Sequence, residues 1–96
     1  MTIVRLLHVD YPPEKADEAA RRWKEMCGPL IRRQPGCLAE RLLRGQDVPH
    51  EFVSYSEWDG EDSIRRYLES GAYHQIREHH RSMGGGHVTV RLYVEA

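Results

Sequence analysis

Ninety-six residues and 11.2 kDa make a single domain, and folding would remove ~65% of the unfolded chain's surface from water. Hydrophobic residues at 40% and charged residues at 30% mark a globular chain rather than a disordered one. A net charge of −1 excludes the basic footprint of a nucleic-acid binder, and no apolar run approaches the ~18 residues that span a membrane.

The opening stretch MTIVRLLHVD lacks the charged start and long apolar segment of a secretory leader, so a cytoplasmic location is expected. Cys27 and Cys37 show no metal-ligand spacing, and reduced thiols are the expectation.

Ile3 to Val9 is rich in apolar and β-branched residues and stops at Tyr11-Pro12-Pro13, which predicts a first strand. Pro13 suits a first helical turn, where its missing N–H costs nothing. Ala16, Ala20, Trp23, Cys27, Leu30 and Ile31 then recur at steps of three and four, the stripe of an amphipathic helix. Gly28-Pro29 inside that stripe predicts a kink or interruption near residues 25–28.

Pro35-Gly36 ends the helix, and Cys37 to Arg44 is predicted as a second strand. Gly45 to Pro49 connects it to a third, His50 to Trp58, with Phe52, Val53, Tyr55 and Trp58 as strand formers. Asp59-Gly60-Glu61-Asp62 starts a helical region whose two pieces run from about Asp62 to Ser70 and from Ala72 to Ser82. Gly84-Gly85-Gly86 breaks the chain. His87 to Glu95 alternates apolar Val88, Val90, Leu92 and Val94 with polar positions, a final strand.

The order β-α-β-β-α-β predicts a ferredoxin-like α+β fold, with a four-stranded antiparallel sheet carrying its helices on one face. Strand one has apolar residues on both parities, Val4 and Leu6 against Ile3, Leu7 and Val9. A bare apolar sheet face of that kind predicts a symmetric homodimer.

Helical spacing puts Tyr67 beside Ile64 and Leu68, and it groups Tyr73, Ile76, Arg77 and His80 on one face with His79 turned away. Polar heads among apolar neighbours either find partners or surround a ligand. Tyr67, Arg77 and His80 are therefore expected to point at the sheet and line one cavity. His8 shares a strand face with Val4 and Leu6, and Trp58 closes the third strand as a core anchor. His74, His79 and His80 include no i, i+4 pair, so no metal site is expected.

Gln34-Pro35-Gly36-Cys37-Leu38, the run Phe52 to Trp58, and Asp59 through Tyr73 with its Leu68-Glu69-Ser70 together resemble the antibiotic biosynthesis monooxygenase (ABM) superfamily, small proteins that form dimeric α/β barrels. The resemblance spans nearly the whole chain and also implies a homodimer. It implies an oxygenase that needs no metal, flavin or haem, and that oxidises a small aromatic or polyketide-like metabolite, such as a phenol or anthrone, with O₂. Such chemistry requires a base, donors for a developing oxyanion, and a dry apolar pocket. On that basis His80 or His8 is the candidate base, Tyr67 and Arg77 hold the oxyanion, and Trp58 and Tyr73 wall the substrate.

Two departures stand out. Family members often carry a histidine where this chain has Tyr67. The haem-degrading branch uses an Asn on the first strand, but this chain has no asparagine, and it carries Tyr67 and Arg77 where that branch has Trp and a His ligand. The competing reading is a non-catalytic small-molecule-binding or stress-response dimer, with haem binding through His80 a third.

Overall fold

A computed structural model describes all of residues 1–96. Strand β1 (Ile3–Asp10) leads through a 3₁₀ turn at Pro13–Lys15 into helix α1 (Ala16–Arg22), a π-helical segment (Trp23–Cys27) and helix α2 (Gly28–Arg32). Strands β2 (Cys37–Arg44) and β3 (Glu51–Trp58), helices α3 (Glu61–Leu68) and α4 (Gly71–Ser82), and strand β4 (Thr89–Tyr93) follow. The sheet order is β2-β3-β1-β4, with every pairing antiparallel. This is the ferredoxin-like arrangement expected from the element order. No helix is long and apolar enough to cross a membrane.

Pro29 is absorbed by the helix rather than breaking it. Proline has no N–H, and its ring collides with the carbonyl four residues back. One wide turn immediately before it takes up the misfit: the Gly28 N–H bonds to the Trp23 carbonyl, five residues away. Glu40 on β2 then fastens that turn to the sheet. Its carboxylate accepts from Trp23 Nε1 at 3.0 Å and from Arg32 Nη1 at 2.7 Å. Gly28 leaves the room, since a Cβ there would meet Glu40 Oε1 at 3.0 Å.

Register fixes the two faces of the sheet. Ile3, Arg5, Leu7 and Val9 on β1 stand beside Trp58, Ser56, Ser54 and Phe52 on β3 and point toward the helices. Val4, Leu6, His8 and Asp10 pair with Glu57, Tyr55, Val53 and Glu51 on the other face, which no element covers. The core is two clusters. One gathers Trp23, Cys27, Trp58, Tyr67 and Ile76; the other gathers Val9, Tyr11, Phe52 and Met83. On β4, Val90 and Leu92 lie on the helical side beside Leu7 and Arg5, yet both are exposed.

Candidate active site

Residues of both core clusters line a cleft of about 620 Å³ between the sheet and α4. Leu7 and Val9 come from β1, and Tyr11 follows that strand. Trp23 comes from the π-helical segment, and Tyr73, Ile76, Arg77 and His80 come from α4. Gly85 and Val88 line it from the glycine-rich segment and the approach to β4. The walls are mostly apolar, and the basic side chains belong to Arg77, His80 and Arg81. Such an enclosure, with few convergent polar groups, is the usual form of a small-molecule site.

Helix α4 can present these residues because Ser70 caps it: its Oγ accepts from the Tyr73 N–H at 3.2 Å. His80 sits in the last turns and is held at Nε2, 2.9 Å from the Gly86 carbonyl oxygen. A carbonyl only accepts, so Nε2 carries the hydrogen and the neutral ring keeps its lone pair on Nδ1. Arg77 is exposed, with its guanidinium 6.0 Å from the centre of the Tyr73 ring.

The structure separates the three residues expected to share one cavity. His80 and Arg77 line the cleft; Tyr67 does not. Tyr67 is packed in the core, stacked on Trp58 at 5.1 Å and edge-on to Tyr73 at 5.3 Å. Burial pushes its phenol well above the usual range, with Arg5 pulling the other way. Trp58 is fully buried, and its Nε1 donates to Ser56 Oγ at 2.8 Å, so it is a core anchor. Only Tyr73 of this aromatic trio reaches the cleft.

His8 is exposed on the opposite face of the sheet, beside Val53 and Thr89 and in a polar groove with Asp10, Glu51 and His87. It therefore stands apart from His80. No three His, Cys, Asp or Glu side chains converge as metal ligands. Both cysteines are free. Burial pushes the Cys27 thiol up to about 12, which makes it unreactive at neutral pH.

Sequence periodicity misplaced His79. It is buried, while Arg77, expected on the inward stripe, is exposed. The true stripe is Ile76, His79 and Met83, flanked by Tyr73 and His80. The helix is rotated toward Trp23, whose ring meets His79 at 6.1 Å. Tyr11 and Arg5 were also missed. Arg5 is 5% exposed, has no carboxylate within salt-bridge distance, and lies 5.8 Å from the centre of the Tyr67 ring. The alternation of β1 could have flagged it, because it puts a guanidinium in line with Ile3, Leu7 and Val9.

The profile of the antibiotic biosynthesis monooxygenase family matches residues 2–79. The chain belongs to that family. A Deinococcus radiodurans protein bearing the family name superposes with a TM-score of 0.86 at 15% identity, over 98% of this chain and 92% of its own. A Nitrosomonas europaea protein of the same name gives 0.86 at 17%, over 98% and 89%. A variant of SnoaB, a cofactor-independent oxygenase from Streptomyces nogalater, gives 0.76 at 19%, over 98% and 92%. At these identities the likeness is one of fold. Comparison with curated proteins gives no match. The family match stops at residue 79, so His80, Gly86 and β4 lie beyond it.

Proposed function

We propose that the protein is a cofactor-independent monooxygenase, acting as a homodimer on a small aromatic or polyketide-like metabolite. The observation that carries this reading is the His80–Gly86 hydrogen bond at 2.9 Å, which in the neutral ring puts the hydrogen on Nε2 and the lone pair on Nδ1, in a residue that lines an apolar cleft. Nδ1 takes a proton from an activated C–H or phenolic O–H of the ligand. Arg77 balances the anion that forms, and the apolar walls keep water from reprotonating it. Tyr73 forms one wall, with Tyr67 and Trp58 holding it from behind.

The electron-rich anion passes one electron to O₂, and the two radicals combine at carbon. Loss of water from the resulting peroxide leaves a carbonyl. One oxygen atom ends in the product and one in water, so an anthrone plus O₂ gives a quinone plus H₂O.

The test is oxygen uptake with an anthrone in the presence of a chelator and without added flavin or haem. The expected result is one O₂ consumed per quinone formed, abolished in His80→Ala. Activity that appears only with added metal or flavin would overturn the reading.

The binding-protein alternative draws on one observation: Trp58, Tyr67 and His8 do not line the cleft, which leaves it few polar groups for chemistry. Saturable ligand binding with no oxygen uptake would favour it. Haem binding gains nothing from the structure, because the Nε2 of His80 is already engaged by Gly86.

A further inference from the structure

Arg77, His80 and Arg81 line the cleft between the sheet and α4, and no Asp or Glu lines it with them. Other grooves of the molecule are built differently. The groove on the open sheet face holds Asp10 and Glu51, and the one between the π-helical segment and α4 holds Glu25 and Glu78. The excess of positive charge is therefore local, in a chain whose net charge is −1. Arg77 and Arg81 stand one turn apart on α4, where side chains four residues apart are neighbours. Arg77 has no carboxylate within salt-bridge distance. Arg81 meets only Glu78, at 3.6 Å, and both side chains are exposed, so that pair is weak and readily given up.

The chemistry proposed for the cleft puts one negative charge on the ligand, and Arg77 with the imidazolium formed at His80 suffices to balance it. Arg81 is then a cation in excess. We infer that the ligand brings a negative charge of its own: it is an aromatic acid, its ring against the apolar walls and its carboxylate held at the edge of the cleft between Arg81 and Arg77. The inference rests on reading the cleft as the substrate site. A guanidinium fork matches a carboxylate in plane and spacing, whereas a neutral group of the same shape gives the two arginines no charge to meet.

The experiment compares naphthalene-2-carboxylate with naphthalene-2-carboxamide, its neutral isostere, binding at neutral pH and followed by calorimetry. At low salt the wild-type protein is expected to favour the carboxylate about tenfold, the scale of one charge-assisted hydrogen bond. Added salt should shrink that preference by screening exposed charges. Each probe should displace the other, which puts both in one site. Arg81→Gln should cut the preference about threefold, the scale of one exposed charge pair. The double variant Arg77→Gln, Arg81→Gln should remove the preference and leave the affinity for the carboxamide as it was. Both arginines are exposed, so the variants should melt near the wild-type temperature.

Equal affinity for the two probes in wild type would overturn the inference and leave the cleft standing as a site for aromatic ligands. A preference untouched in the double variant, or a carboxylate that the carboxamide fails to displace, would also overturn it. If neither probe binds, the cleft as an aromatic-ligand site falls and this inference falls with it. These measurements report nothing about turnover. A failure of oxygen uptake therefore removes the oxygenase reading and leaves the preference for acids standing.

Discussion

His80 and Gly86 are joined side chain to main chain at 2.9 Å, and the main chain reciprocates one residue earlier, where the Gly85 N–H donates to the His80 carbonyl at 2.9 Å. Gly86 in turn donates to the Asp10 carbonyl at 2.9 Å, which ties the glycine-rich segment to the end of β1. The segment thereby sets both the orientation and the tautomer of the imidazole.

Gly85→Ala tests that arrangement. A Cβ at Gly85 would run into the His80 ring. The ring is the free end of a side chain, so it moves and the fold survives. The melting temperature should stay near wild type, as for most changes outside the core. Turnover should fall at least tenfold, approaching the ~10²–10⁴-fold loss expected for His80→Ala if the histidine is the general base. Unchanged turnover in Gly85→Ala would show that the position of the ring is irrelevant to activity.

Tyr67 and Trp58 are expected to matter for stability before chemistry. Tyr67→Ala removes a ring stacked on Trp58 and packed against Tyr73, and should cost about 3–5 kcal/mol of unfolding free energy. Tyr67→Phe keeps the ring and should leave turnover within a few-fold of wild type, because the residue does not line the cleft. Urea unfolding and initial rates on both variants check this. A ~10²-fold loss of rate in Tyr67→Phe, the scale of a lost oxyanion donor, would return the hydroxyl to the reacting centre.

The open sheet face carries the third prediction. Leu6 pairs with Tyr55, His8 with Val53 and Val4 with Tyr93 on a surface no helix covers. A sheet is stable when its apolar face is buried, and a second copy with the same face provides that by a two-fold axis. Sedimentation equilibrium at micromolar concentration should return twice the mass of the 11.2 kDa chain. Leu6→Lys should shift the protein toward monomer. An 11.2 kDa species alone in wild type would sink the dimer.

The elements were legible because their signals are local. The strand-forming residues of β1 and β3, the alternation of β4, the proline-glycine breaks and the acidic start of the helical region each act within a few residues. The helical stripe also foretold trouble near Gly28-Pro29, though not that a single π turn would absorb it. The site was less legible because it depends on rotation and partnership.

Periodicity says which residues of α4 share a face but not how that face is turned. Contact with Trp23 turns it, and so decides that His79 is buried and Arg77 is exposed. Likewise, alternation put His8 with Val4 and Leu6 correctly, but only the packing shows that this is the uncovered face. Tyr11 reads in sequence as the residue that ends a strand before two prolines, and its unpaired hydroxyl is visible only in three dimensions.

His79 makes the fold sensitive to acid. Its ring is 4% exposed, and Nε2 is buried without a partner. Burial disfavours the charged form and lowers its pKa below the ordinary 6.5, with Arg22 and His80 adding to the effect. In the unfolded chain the same ring titrates at its ordinary value. As the pH falls through about 6.5, the unfolded state takes up a proton that the native state refuses, so stability is complete above that pH and declines below it. The decline ends only when the pH reaches the lowered native value. His79→Leu keeps an apolar side chain against Trp23 and removes the titration. Urea midpoints at about pH 7.5 and about pH 5.5 should therefore drop more for wild type than for His79→Leu, with the difference confined to that acid interval. Parallel declines in the two proteins would mean that His79 takes its proton as easily folded as unfolded.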